Sequence, residues 1–128
     1  MASIYKYSIE DLKKIAGELA ETAVAPFSIL LEGNVGVGKT AFSKFFIEKL
    51  LIDKRQNITS PTFNIIQIYE TIKGPIWHVD LYRIKKEEEI FQLGLLEAMH
   101  DSICLIEWPD LLKKYILDCN YITVDLQP

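Results

Sequence analysis

The 128-residue chain is short of arginine, of cysteine and of positive charge, and each shortage closes off a class of function. Its only arginines are Arg55 and Arg83. An enzyme that passes a phosphoryl group to a second phosphate-bearing substrate needs several guanidinium groups to clamp it, so a small-molecule or nucleotide kinase is a weak alternative. Lys and Arg number 14 against 18 Asp and Glu, for a formal net charge of −4. Proteins that grip nucleic acid by its phosphates carry a basic face, so stand-alone nucleic-acid binding is not expected. The two cysteines, Cys104 and Cys119, are too far apart for a CxxC site. Cys104 lies in an apolar run and reads as a small buried hydrophobe, and neither cysteine reads as a disulfide staple or a metal ligand. A reducing cytoplasm is the compartment this suggests. Met1–Lys6 lacks the layout of a signal peptide, and no apolar run approaches the roughly 18 residues a membrane span needs. With no repeat, low-complexity segment or linker, residues 1–128 read as one domain.

Against these absences stands one strong positive signal. Residues 33–40 read GNVGVGKT, the spacing of a phosphate-cradling loop. Its glycines let backbone N–H groups turn inward on a polyphosphate, Lys39 reaches the β/γ-phosphates, and the Thr40 hydroxyl ligates Mg²⁺. The context is the one such a loop requires. Phe27–Leu31 reads as a short buried strand, and Lys39–Leu51 as a helix with Phe42, Phe45, Phe46 and Leu50 on one face. The helix adds its positive dipole end to the same anion site. Gly33, Asn34, Val35, Gly36, Val37, Gly38, Lys39, Thr40 and Ala41 are therefore the expected nucleotide-binding stretch.

The rest of the chain alternates strand and helix signals. Ile4–Tyr7 reads as a short edge strand, and Ser8 with Asp11 as a capping-box-like start for a helix running to about Ala23. After a polar loop over 53–60, Phe63–Glu70 and Ile76–Tyr82 read as an antiparallel hairpin turning at Lys73-Gly74-Pro75. Alternation places Trp77, Val79 and Leu81 on one face of its second strand and His78, Asp80 and Tyr82 on the other. Charged Lys85–Glu89 opens a helical stretch that Gly94 interrupts, and Leu95–His100 forms another turn or two. The triple Glu87–Glu89 reads as a solvated helix face. A buried strand at Ile103–Ile106, a short helix at Asp110–Tyr115 and a strand at Tyr121–Leu126 complete the chain.

Hydrolysis requires more than a phosphate loop: Mg²⁺ must be held and a water oriented. The run ICLIE (103–107) ends an apolar strand with a carboxylate, so Glu107 is the candidate to hold the metal or place the water. Asp80 is the second candidate, although the residues alone leave metal coordination level with a surface ion pair to Arg83. Thr62, in a loop before a strand, has a hydroxyl able to sense a γ-phosphate. His78 reads as a packed or hydrogen-bonded residue rather than a catalyst. Trp108, at the strand exit, reads either as core or as an exposed ring beside the nucleotide or a partner. The guanine-selecting NKxD pattern is missing, which favours ATP over a GTPase-like switch, and a nucleotide-binding scaffold without turnover stays open.

GNVGVGKT, SPTF at 60–63, HVDLYR at 78–83 and ICLIEWP at 103–109, in this order and spacing, together resemble the TsaE (YjeE) family, small bacterial ATPases of tRNA threonylcarbamoyladenosine biosynthesis. The resemblance implies a P-loop NTPase-like α/β fold in three layers, with a mainly parallel sheet, an antiparallel hairpin and flanking helices. It implies ATP and Mg²⁺ as ligands, Lys39 and Thr62 beside the phosphates, and Thr40, Asp80 and Glu107 around the metal, with Asp80 and Glu107 serving turnover. Asn34 stands where many relatives of that family carry Asp, and the chain stops at Pro128 where many continue. As partners the resemblance implies the TsaB–TsaD heterodimer, with tRNA reached only indirectly through that complex, and no membrane.

Overall fold

The apolar runs at the centre of the sequence lie side by side in one six-stranded sheet. The computed structural model describes residues 2–128. Its elements in chain order are β1 (Ala2–Tyr5), α1 (Ile9–Thr22), β2 (Phe27–Glu32), α2 (Lys39–Leu50), β3 (Ile66–Thr71), β4 (Gly74–Asp80), α3 (Glu87–Phe91), α4 (Leu95–Ala98), β5 (Ile103–Glu107), a 3₁₀ turn at Lys113–Tyr115 and β6 (Tyr121–Gln127). The strand order is β1-β6-β2-β5-β4-β3. All neighbours are parallel except β3, which runs antiparallel to β4 as the outer arm of the hairpin. This is the expected three-layer α/β architecture, with a mainly parallel sheet and one antiparallel edge.

Two apolar layers cover the sheet. On one face Leu12, Ala16 and Ala20 of α1 and Phe42, Phe46, Ile47 and Leu50 of α2 pack over Ile29, Leu31, Ile103, Leu105 and Val124. Phe45, expected on the same helix face, packs at the margin of that cluster. On the other face Ile90, Leu95, Met99, Leu112 and Ile116 pack over Leu30, Val79, Cys104 and Ile106. Burial on both sides is why β2 and β5 read as continuous apolar runs rather than alternating ones. Cys104 is fully buried in the second layer.

The capping box at Ser8 is formed in full: the Asp11 N–H donates to Ser8 Oγ at 3.1 Å, and the Ser8 N–H to Asp11 Oδ2 at 2.8 Å. The alternation of β4 is also as expected, with Ile76 joining the α1/α2 layer and Val79 and Leu81 the other. Several boundaries differ, β1 among them, which runs over Ala2–Tyr5 rather than Ile4–Tyr7. Strand β3 begins at Ile66, not Phe63; Phe63 is 80% exposed in a turn, and Ile65 has a left-handed backbone with φ +68°. Strand β4 ends at Asp80, so Leu81 and Tyr82 leave the sheet. The helix expected at Asp110–Tyr115 is only the 3₁₀ turn at Lys113–Tyr115, because so short a segment gains too few hydrogen bonds to offset nucleation.

Topology fixes where chemistry belongs. β2 sits between β5 and β6, whose chain connections leave in opposite directions, and its carboxyl end opens into the crevice where ligands of parallel α/β sheets bind. The loop 33–38 leaves the sheet there. Glu107 ends β5 beside it, and Asp80 ends β4 in direct register with Glu107.

Candidate functional site

The loop between β2 and α2 is shaped by positions that no side chain could occupy. Gly33 has φ +136°, and a Cβ there would lie 2.7 Å from Val37 Cγ2 and 2.8 Å from the Leu126 carbonyl oxygen. Gly38 has φ +108° and presses against Leu12 of α1, whose Cδ1 would meet a Cβ at 2.8 Å. The backbone thus packs directly on β6 and α1. From outside, the Tyr7 hydroxyl donates to the Val37 carbonyl. Gly38 is the N-cap of α2 and supplies no side chain to the helix end. The first-turn N–H groups, which have no partner within a helix, are left for a ligand.

Beside this helix end lies a cavity of about 440 Å³ lined by Val35, Gly36, Gly38, Lys39, Thr40, Ala41, Thr62, Asp80, Tyr82, Glu107 and Trp108. Gly33, Asn34 and Val37 of the expected binding stretch lie behind it. A larger groove of about 600 Å³ runs between α1 and α2 on the outer surface, away from these residues.

Within the cavity the polar groups are already paired. The Thr40 hydroxyl donates to Glu107, with its Oγ1 3.0 Å from Oε1 and 3.3 Å from Oε2. Glu107 is 2% exposed, and burial of a carboxylate is tolerable only with donors around it. Its second donor is a residue that reads from sequence as packed or hydrogen-bonded, with no partner named: His78, fully buried on β4, places Nε2 2.9 Å from Glu107 Oε2. The other ring nitrogen, Nδ1, has no protein partner. On the neighbouring strand end, Asp80 accepts from the Thr62 hydroxyl at 3.2 Å and from the Tyr82 N–H at 2.9 Å. Thr62 in turn lies 2.7 Å from the Ser60 hydroxyl. Asp80 is therefore buried and directed into the cavity, and the alternative ion pair with Arg83 is not formed. Arg83 is exposed and stacks its guanidinium 4.4 Å from the Phe63 ring centre.

Lys39 is buried, 6% exposed, with its ammonium donating to the Gly33 carbonyl and lying 3.3 Å from the Trp108 ring centre. Burial pushes its pKa down, while Glu107, Asp80 and Asp110 oppose that shift. Trp108 is half-buried and adopts φ +58°, an uncommon conformation for a large side chain that turns the ring back from the strand end over the ammonium. Tyr82 stacks on it at 4.9 Å between centroids. Trp108 is thus a wall of the cavity rather than core. Sequence reasoning missed His78 as the partner of Glu107, and Tyr7 and Tyr82 as supports. His78 shared Asp80's face in the alternation, but nothing local says that β4 lies next to β5.

The chemistry of the donors is consistent throughout. A hydroxyl, two carboxylates and a second hydroxyl are hard oxygen donors of the kind Mg²⁺ prefers, and they stand at an uncapped helix N-terminus next to a buried lysine. Such an arrangement suits a polyphosphate with a divalent cation.

Comparison with known proteins finds related chains. The family described as "Threonylcarbamoyl adenosine biosynthesis protein TsaE" matches residues 7–128. A Rickettsia felis protein named tRNA threonylcarbamoyladenosine biosynthesis protein TsaE is 42% identical over 118 residues, covering 92% of this chain and 68% of its own. A Bacillus subtilis protein of the same name is 41% identical over 108 residues, covering 84% and 66% respectively. The crystal structure of Bacillus subtilis YdiB superposes with a TM-score of 0.66 at 34% identity, over 94% of this chain and 73% of that one.

Proposed function

Because the chain belongs to the TsaE family, we propose that it serves tRNA threonylcarbamoyladenosine biosynthesis as an ATPase, binding ATP and Mg²⁺ in the cavity between the 33–38 loop and the ends of β4 and β5. The observation that carries this reading is the Thr40–Glu107–His78 chain, which sets a buried carboxylate against the first turn of an uncapped helix.

The roles follow from position. The loop N–H groups and the α2 N-terminus hold the phosphates. Lys39 is within reach of them by giving up its bond to the Gly33 carbonyl, and the charge of the phosphates replaces the solvation it lost on burial. Thr40, Glu107 and Asp80 are the residues to hold the cation. Mg²⁺, when bound, supplies charge neutralisation on the β- and γ-phosphate oxygens. Glu107, fixed by His78, orients the attacking water, and Thr62, bonded to Asp80 in the cavity wall, is the residue to sense the γ-phosphate.

Turnover by the isolated chain is slow in this reading. Arg83, the nearest guanidinium in sequence, is stacked on Phe63 outside the cavity, and a supplied cationic finger is worth on the order of 10³–10⁵ in rate. The chain's acidic balance leaves tRNA to be reached through partners, which the family resemblance names as the TsaB–TsaD heterodimer. The test is ATP turnover and pull-down with TsaB–TsaD, with and without tRNA. Retention on the heterodimer and faster hydrolysis are expected. Unchanged hydrolysis in the full mixture would refute partner activation, and nucleotide binding with no turnover under any condition would leave a scaffold in place of an ATPase.

A further inference from the structure

At the opposite end of the strands from the nucleotide cavity, two loops bring His100 together with the adjacent pair Asp118 and Cys119. His100 follows α4, and Asp118 and Cys119 precede β6. Cys119 Sγ lies 3.9 Å from His100 Nε2 and 3.9 Å from Asp118 Oδ1, and the three donor atoms all fall within 4.8 Å of one another. We propose that His100, Asp118 and Cys119 form a zinc site, with its fourth position open to water.

Geometry and donor type support this. Zn–S near 2.3 Å and Zn–N near 2.0–2.1 Å at a tetrahedral angle place sulfur and nitrogen about 3.5 Å apart. The two sulfur separations exceed that by a few tenths of an ångström, and the imidazole and carboxylate, within 4.8 Å of each other, close the shell by rotamer changes. His100 and Asp118 are exposed and free to make them. The thiol is the fixed member: Cys119 is half-buried against the second apolar layer, and its N–H donates to the Ile116 carbonyl at 2.9 Å. The His100 loop is anchored equally well through Met99, which is 1% exposed. One thiolate, one imidazole and one carboxylate select zinc over the Mg²⁺ of the nucleotide site, because a soft sulfur ligand suits zinc and not magnesium. With the thiolate and carboxylate each contributing one negative charge, the zinc-bound site is neutral. Neither cysteine reads as a ligand from spacing alone; only the fold juxtaposes Cys119 with His100.

Occupation would tie the end of α4 to the start of β6 and stabilise the folded chain by mass action. The experiment is titration of the chelator-treated full chain with Co²⁺, reading the thiolate-to-metal charge-transfer band, followed by displacement with Zn²⁺. Adventitious Co²⁺ among the oxygens of the nucleotide site gives no such band, so the two sites are distinguished. One equivalent of cobalt with the band, displaced by zinc, is expected. Cys119→Ser should abolish the band, and His100→Ala should weaken zinc binding roughly tenfold or more, since even outer-shell losses cost that much. His100 is exposed and Cys119→Ser is nearly isosteric, so both variants should leave far-ultraviolet circular dichroism unaltered. Zinc should raise the melting temperature of the parent chain and not of Cys119→Ser. A titration without the band, or a band that survives Cys119→Ser, overturns the proposal.

Discussion

Replacing His78 by leucine tests whether the buried pair it forms with Glu107 is a unit. The imidazole is fully buried, with Nε2 2.9 Å from a carboxylate that is itself 2% exposed. A hydrogen bond to a charged group contributes about 1.5–3 kcal/mol. His78 Nδ1, however, is buried without a protein partner, and an unsatisfied polar atom costs about 1–3 kcal/mol. Leucine is of similar volume and removes both terms, so His78→Leu alone should change stability by no more than about 1.5 kcal/mol. The coupling is where the pair becomes visible. Glu107→Leu strands both ring nitrogens, His78→Leu leaves the carboxylate with Thr40 as its one side-chain donor, and the double variant has neither orphan. A double-mutant cycle by urea denaturation should therefore give a coupling energy of about 1.5 kcal/mol or more. In parallel, His78→Leu should lower kcat for ATP more than it raises KM, because Glu107 loses its orientation and the phosphate loop does not. His78→Gln, whose amide can donate from a similar place, should restore part of kcat. Coupling below about 0.5 kcal/mol, the scatter expected of independent sites, together with an unchanged kcat, would refute the reasoning.

Three further outcomes follow from the same geometry. Gly33→Ala should lower stability by about 2–4 kcal/mol through left-handed strain and overlap with the Leu126 carbonyl, whereas Gly36→Ala, which meets nothing within 4 Å, should cost only the backbone term of about 1–2 kcal/mol; denaturation midpoints compare them. Glu107→Ala should abolish most turnover while a fluorescent ATP analogue still binds, and full activity in that variant would remove Glu107 from the mechanism. Burial lowers the pKa of Lys39 in the free chain, and a bound polyphosphate favours the ammonium and raises it again. Nucleotide affinity should then fall by up to about tenfold per pH unit as pH rises through the lowered value, levelling above the raised one. Equilibrium binding across neutral to alkaline pH checks this, with Lys39→Ala expected to bind weakly and without that slope. For folding the sign is opposite to that of a stabilising lysine pair: the penalty of the buried charge is full below the lowered pKa and is relieved as pH rises through the unfolded-state value.

Those parts of the structure governed by local periodicity were legible before any coordinates. Strand β2, helices α1 and α2 and strand β5 carry long apolar signals, and the Ser8–Asp11 cap and the 33–40 loop carry chemistry at fixed spacing. Where the chain leaves regular structure, local signals fail. Phe63 is β-prone yet sits 80% exposed in a turn, because its position is decided by the Thr62–Asp80 contact and the left-handed Ile65 behind it. The segment after Pro109 has helix-forming residues but too few to close more than a 3₁₀ turn. For the site, residue types singled out Lys39, Thr40 and Glu107 as candidates one by one and left Asp80 level with an ion pair to Arg83. Their pairing was not legible, since it depends on β4 lying beside β5 across the α3–α4 crossover, which sets Asp80 opposite Glu107 and His78 one step back.

That pairing bears on what the free site is prepared to do. A lysine and a hydroxyl facing buried carboxylates are a costly arrangement unless each finds a partner. Here each has one: Lys39 is bound to the Gly33 carbonyl and capped by the Trp108 ring, and Thr40 is bound to Glu107. In the proposed function, nucleotide binding exchanges these contacts, so part of the gross attraction of the phosphates is offset by what Lys39 and Thr40 give up. In that exchange Lys39 would give up the Trp108 ring and Thr40 would give up Glu107. The rings of exposed Tyr82 and half-buried Trp108, which line the cavity, are therefore the groups whose environment would change most directly with nucleotide bound.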